Sequence, residues 1–169
     1  MSIVGTKTPE WSGVAYLNGE EKALSSKDFE GKWHVLYWYP LDFTFVCPTE
    51  IRGFQAELDN FKDDGIEVVG CSTDSFFSHN AWFADRSIFA DEITHPVLAD
   101  TSHSISRAFG VLKEDLGAAY RATVIVDPEG TIRSVNINDL SAGRSPSETL
   151  RTVQALMSGG LCGADWKKG

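Results

Sequence analysis

The chain has 169 residues, 42% hydrophobic and 23% charged, which suits one soluble domain with a full hydrophobic core. A net charge of −9 argues against nucleic acid and anionic membranes as partners, because both attract cationic surfaces. No apolar run nears the roughly 20 residues that span a bilayer, and the start, Met1 to Lys7, lacks the apolar core of a secretory signal, so a cytoplasmic protein is expected.

In chain order, a hairpin-like stretch runs through Val14-Ala15-Tyr16-Leu17-Asn18-Gly19, and residues 33–39 form an apolar, aromatic first core strand. Apolar residues at 51, 54, 58 and 61 set a helical period over about 48–61. Gly65 then ends the helix before a second strand, 66–72. Ser75 caps a helix carrying Phe76, Phe77, Trp82 and Phe83; a short apolar piece, 96–99, and a helix near 103–109 come next. Strand 122–126 turns through Asp127-Pro128-Glu129-Gly130 into 131–137. Ser145 or Ser147 caps a last helix, with apolar residues at 150, 153, 156 and 157. The order predicts an α/β domain, residues 1–157, with a central mixed sheet flanked by helices, and a flexible Gly-rich tail, residues 158–169.

The densest information lies in residues 40–50, Pro-Leu-Asp-Phe-Thr-Phe-Val-Cys-Pro-Thr-Glu. Cys47 falls where a strand hands over to a helix, and Pro48 suits a first helical turn because its missing donor costs nothing there. Unpaired N–H groups and the macrodipole at such a terminus favour an anion, and the thiolate is the reactive form of cysteine. The Pro-x-x-x-Thr-x-x-Cys spacing of Pro40, Thr44 and Cys47 closely resembles the active-site signature of the peroxiredoxins. The longer string resembles the typical two-cysteine members, which include the peroxidase subunit of alkyl hydroperoxide reductase and the thioredoxin peroxidases. Thr44 can turn its hydroxyl onto both a thiolate and a peroxide oxygen, and Pro40 can fix the turn and shield the sulfur. A phosphatase loop does not fit, because Arg52 follows Cys47 at Cys-x4-Arg spacing and the intervening glutamate repels phosphate.

Arg121 precedes the strand 122–126, where its guanidinium can reach the helix terminus holding Cys47 and polarise a peroxide with fixed charge and five donors. Its context resembles the segment that supplies the family's active-site arginine. The resemblance further implies a supporting network of Glu50 and Arg144 behind the thiol, and sets Trp82 near the pocket rim, as wall or core rather than catalyst.

Cys162 sits among Gly159, Gly160 and Gly163, a setting that suits a partner for a sulfenic acid. By resemblance it is the resolving cysteine, although the proline that usually follows is replaced by Gly163. Cys71 lies within an apolar strand and reads as a buried, inert thiol. Three widely spaced cysteines without a Cys-x-x-Cys pair make neither a disulfide framework nor a zinc site, and no metal is expected. Lys113-Glu114-Asp115-Leu116-Gly117 departs from the Gly-Gly-Leu-Gly string of peroxide-sensitive members, and no Tyr-Phe helix follows Cys162, so resistance to over-oxidation is expected.

The resemblance thus implies a thioredoxin-like fold and a peroxidase needing no bound cofactor. Its substrates are hydrogen peroxide and organic hydroperoxides. Its reductant is thioredoxin or a flavoprotein disulfide reductase. The implied assembly is a homodimer, with an intersubunit disulfide, building a decameric ring. A noncatalytic thiol sensor would use the same cysteine, and repeated turnover with a dithiol separates the two.

Overall fold

The computed structural model describes residues 1–169. Its centre is a seven-stranded mixed sheet in the order β2-β1-β5-β4-β3-β8-β9. The middle strands β3 (His34–Trp38), β4 (Glu67–Ser72) and β5 (Val97–Ala99) run parallel. β1 (Ser12–Leu17) and β2 (Glu20–Ser25) form a hairpin antiparallel to β5; Asn18 and Gly19, at φ 51° and 84°, supply the left-handed pair that a tight hairpin turn requires. On the other side, β8 (Arg121–Val126) and β9 (Ile132–Asn138) continue the sheet antiparallel to β3.

Alternation along β3 divides the core. Val35 and Tyr37 face the side covered by α1 (Cys47–Ala56), α2 (Leu58–Asp63), α3 (Phe76–Phe83) and α5 (Pro146–Ser158). Leu36 and Trp38 face the other side, packed with Phe109, Val111 and residues around α4 (Ser104–Ala108). Ser75 and Ser145 cap α3 and α5 by accepting the N–H groups of Ser78 and Glu148.

One local expectation needs correction, and two further segments show detail that no sequence pattern announces. The helix predicted over 48–61 is two helices meeting at Glu57, where ψ opens to −2°; Leu58 and Phe61 remain buried, so the apolar period survives the break. The segment around Lys113–Gly117 is a small two-stranded hairpin, β6 (Leu112–Lys113) with β7 (Ala118–Ala119), too short to show a strand pattern. The tail beyond α5 has no helix or strand but is held: Arg151 donates to the Trp166 carbonyl at 3.2 Å, and Lys168 pairs with Asp64.

Candidate active site

β3 delivers the chain into the loop 39–46, which ends at Cys47 in the first position of α1. The preceding residue, Val46, has no side chain able to accept a hydrogen bond, so the first-turn N–H groups keep their positive field for an anion. Tyr37 pairs with Thr123 across the β3–β8 ladder, which brings Arg121 level with the exit of β3. Arg121 Nη1 consequently donates to Cys47 Sγ at 3.2 Å and to Glu50 Oε1 at 2.7 Å, while Nε donates to the Leu140 carbonyl at 2.6 Å.

Glu50, one turn after Cys47, is the hub. Its Oε2 accepts Nε of Arg144 at 2.6 Å and the Arg144 backbone N–H at 2.8 Å. Arg144 Nη1 reaches the Ala122 carbonyl. All four groups are sealed from water: Cys47 is 0% exposed, Glu50 2% and Arg121 4%, and the Arg144 side chain is 3% exposed. One carboxylate between two guanidinium groups leaves a surplus positive charge, and a thiolate at Cys47 neutralises it. For Arg121, burial works against the charge, but the hydrogen bond and charge of Cys47, then those of Glu50, raise its pKa above the ordinary value.

Other residues singled out by the sequence stand differently. Thr44 does not point at the sulfur: its hydroxyl donates back to the Leu41 carbonyl at 2.8 Å, a local bond that short hydroxyl side chains readily make. Pro40 is buried at the end of β3. Trp82 is 0% exposed and lies in the core, packed against Tyr39, Phe83 and Phe89 and against Phe43 of the loop. Cys71 is fully buried, and burial, then the charge of Asp100, pushes its thiol well above the usual range. Cys162 is half-buried against its own chain, with Sγ 3.3 Å from Ser158 Oγ and 3.6 Å from the Ala155 carbonyl.

Sequence reasoning missed what holds the loop. Asp42 accepts Tyr39 Oη at 2.7 Å and Ser78 Oγ at 2.8 Å, and lies 2.7 Å from His79 Nδ1. The other ring nitrogen of His79 faces the Leu98 carbonyl at 3.1 Å, so the loop is tied to both α3 and β5. Asp42 lies inside the signature and His79 inside Thr-Asp-Ser-x-x-x-His-x-x-Trp, but nothing in either stretch says that they meet. Phe43, at φ 60°, is a left-handed aromatic residue, a strained conformation of the kind that clusters at functional loops. No group of three or more His, Cys, Asp or Glu side chains is placed to hold a metal, and no helix is long and apolar enough to cross a membrane.

With this geometry established, comparison with known proteins gives a consistent result. Residues 4–135 match the model of the AhpC/TSA family. The chain is 46% identical to peroxiredoxin prdx-2 of Caenorhabditis elegans, over 99% of this chain and 87% of that protein. It superposes on the reduced 2-Cys peroxiredoxin of Plasmodium vivax with a TM-score of 0.93 and 36% identity, covering 100% of this chain and 91% of that one. Against Enterococcus faecalis AhpC the TM-score is 0.89 at 39% identity, with 94% of each chain covered.

Proposed function

We propose a division of labour among these residues from a fixed premise: the chain belongs to the AhpC/TSA family and is a thiol-dependent peroxidase of the peroxiredoxin type, with the thioredoxin-like fold. Cys47 is the nucleophile that reduces hydrogen peroxide and small organic hydroperoxides. The observation that carries this assignment is the pair of bonds from Arg121 Nη1 to Cys47 Sγ and Glu50.

The Cys47 thiolate attacks the terminal oxygen of the hydroperoxide. An S–O bond forms as the O–O bond breaks, leaving a sulfenic acid on Cys47 and an alkoxide or hydroxide that takes a proton from solvent. Arg121 stabilises the charge gathering on the leaving oxygen, and Glu50 and Arg144 hold Arg121 in place. Thr44 contributes to the oxygen site once its hydroxyl rotates away from Leu41, and Pro40 closes the pocket. Trp82 supports the loop by packing alone.

The Cys162 thiol, supplied by a second subunit, then attacks the sulfenic sulfur, releases water and forms a disulfide. Thioredoxin or a flavoprotein disulfide reductase returns both sulfurs to thiols by exchange. No bound cofactor takes part. The tail 158–169, once its contacts with Arg151 and Asp64 release, is the element that brings Cys162 to its target.

A dimer is supported by β9, an outer strand of the sheet with Ile137 47% exposed, open to pairing with a second copy. A decameric ring is supported by exposed aromatic side chains, Phe43 and Phe45 in the loop and Phe77 in α3, which water disfavours. Three widely spaced cysteines, without the framework of a secreted disulfide scaffold, suit a reducing cytoplasm.

The test is peroxide consumption with dithiothreitol as reductant. Many turnovers per chain, abolished by Cys47→Ser, are expected. A single equivalent of peroxide consumed per chain with excess dithiol would instead describe a sensor.

A further inference from the structure

Arg144 carries an unmet need. Its Nη2 is buried without a hydrogen-bond partner, an expensive arrangement for a cation away from water. The guanidinium carbon lies 5.6 Å from the ring centroid of Tyr37, within the range where an aromatic face attracts a cation. The chemistry described above makes no use of Tyr37, which projects from β3 into the core beneath α1.

The Tyr37 ring is held on several sides. It stacks on Phe54 of α1 at 4.0 Å between centroids and 11° between planes. On the adjacent strand, a Cβ at Gly70 would fall 2.8 Å from both Cζ and Oη of Tyr37, so only glycine leaves room for this ring. Tyr37 Oη lies 2.7 Å from His95 Nε2, and His95 Nδ1 lies 2.8 Å from Gln55 Oε1.

The direction of that relay follows from Gln55. Its Oε1 already accepts the Thr94 N–H at 2.9 Å, and its Nε2 donates to Thr94 Oγ1 at 2.8 Å, which fixes the amide. His95 therefore donates through Nδ1 and accepts from Tyr37 through Nε2. Burial, reinforced by the charge of Lys62, lowers the His95 pKa to about 3, so the ring is neutral. Gln55 belongs to α1, the helix of Cys47 and Glu50.

We propose that Tyr37 is a positioning residue for peroxide reduction, its ring face carrying the Arg144 guanidinium while its hydroxyl, through His95 and Gln55, locks that ring to the Cys47 helix. The inference rests on Cys47 being the peroxide-reducing nucleophile. Tyr37 acts through Arg144, which holds Glu50, which orients Arg121 on the sulfur.

The test replaces Tyr37 by phenylalanine and by phenylalanine bearing one, two and three ring fluorines, which drain the face of negative potential with little change of size. The rate of Cys47 oxidation by hydrogen peroxide is measured under single-turnover conditions, alongside the melting temperature. Tyr37→Phe, which frees the ring from His95, should slow the reaction by about threefold and sets the baseline for the fluorinated series. The rate should then fall with each fluorine, by about tenfold over the series, the scale of a desolvated cation–π contact. A flat rate across the fluorinated series would overturn the inference, because a ring that only fills space is indifferent to its electrostatics. Failure of the parent protein to react would remove the peroxidase reading itself, and the two results cannot be confused.

Discussion

Arg144 meets Glu50 twice through one oxygen: its backbone N–H and its Nε both end on Oε2, across 94 positions of sequence. The double contact pins the loop after β9 to the first turn of α1, and leaves Oε1 free to receive Arg121. One buried carboxylate thereby sets the positions of two cations and, through them, the surroundings of the sulfur.

Glu50→Gln should therefore damage both stability and chemistry. The amide matches the carboxylate in shape but leaves two buried guanidinium groups with only the Cys47 thiolate as counter-ion, which costs about 3–5 kcal/mol. Peroxide reduction should slow by about tenfold or more as Arg121 loses its orientation. Urea unfolding and single-turnover oxidation check the two effects separately. A variant of parental stability would mean that the guanidinium charges are compensated elsewhere.

Cys71 and Cys47 are both fully buried, and only their neighbours distinguish them. Cys47 faces Arg121, whereas burial and the charge of Asp100 keep Cys71 a thiol. Cys71→Ala should retain activity within about twofold and lose about 1 kcal/mol of stability, while Cys47→Ser should abolish turnover. Peroxide consumption by the two variants decides the roles. An inactive but folded Cys71→Ala protein would reverse them.

Stability should fall on the acid side through His95. Its folded-state pKa, about 3, is depressed below the ordinary value of 6.5, so below pH 6.5 the unfolded chain binds a proton that the folded chain refuses. The contribution is complete above about pH 6.5 and is lost as pH falls toward 3, at about 1.4 kcal/mol per pH unit. His34, also lowered by burial, adds to the upper part of this window. His95→Asn should flatten the slope by one proton, measured by urea unfolding at pH 7, 5.5 and 4.5. Equal slopes in both proteins would rule out His95 as the source.

What the sequence revealed and concealed follows from the range of the interactions. The strand 33–39, the caps Ser75 and Ser145 and the helix start at Cys47 are written in neighbouring residues, and the structure has them at β3, α3, α5 and α1. Arg121 was readable because it opens an apolar strand. The pairing of Asp42 with His79 was not, since it depends on how α3 packs over the loop. Nor was the direction of the Thr44 hydroxyl, where a bond to the nearby Leu41 carbonyl competes with the sulfur. Tyr37 looked like any core aromatic, because the partners that distinguish it, Arg144 and His95, come from distant segments.

The tail gives the last prediction. Cys162 rests against its own α5, while Lys168 pairs with Asp64 and Arg151 holds the Trp166 carbonyl. With Cys162 as the proposed resolving thiol, these ties have to release before it reaches a sulfenic acid, so they compete with disulfide formation. Lys168, then Gln154, hold the Asp64 carboxyl below its usual pKa, which marks the charge as part of the latch. Asp64→Asn keeps the shape and removes that charge. Release should become easier, and the condensation step should speed up by about two- to fivefold, as much as an exposed ion pair allows. A sulfenic acid met sooner by Cys162 has less time to meet a second peroxide, so sulfinic acid on Cys47 should accumulate more slowly. Rapid-quench mass spectrometry after a peroxide pulse follows both products at once. An unchanged ratio of disulfide to sulfinic acid would show that release of the tail does not limit the step, and would leave unwinding of the first turn around Cys47 as the slow motion.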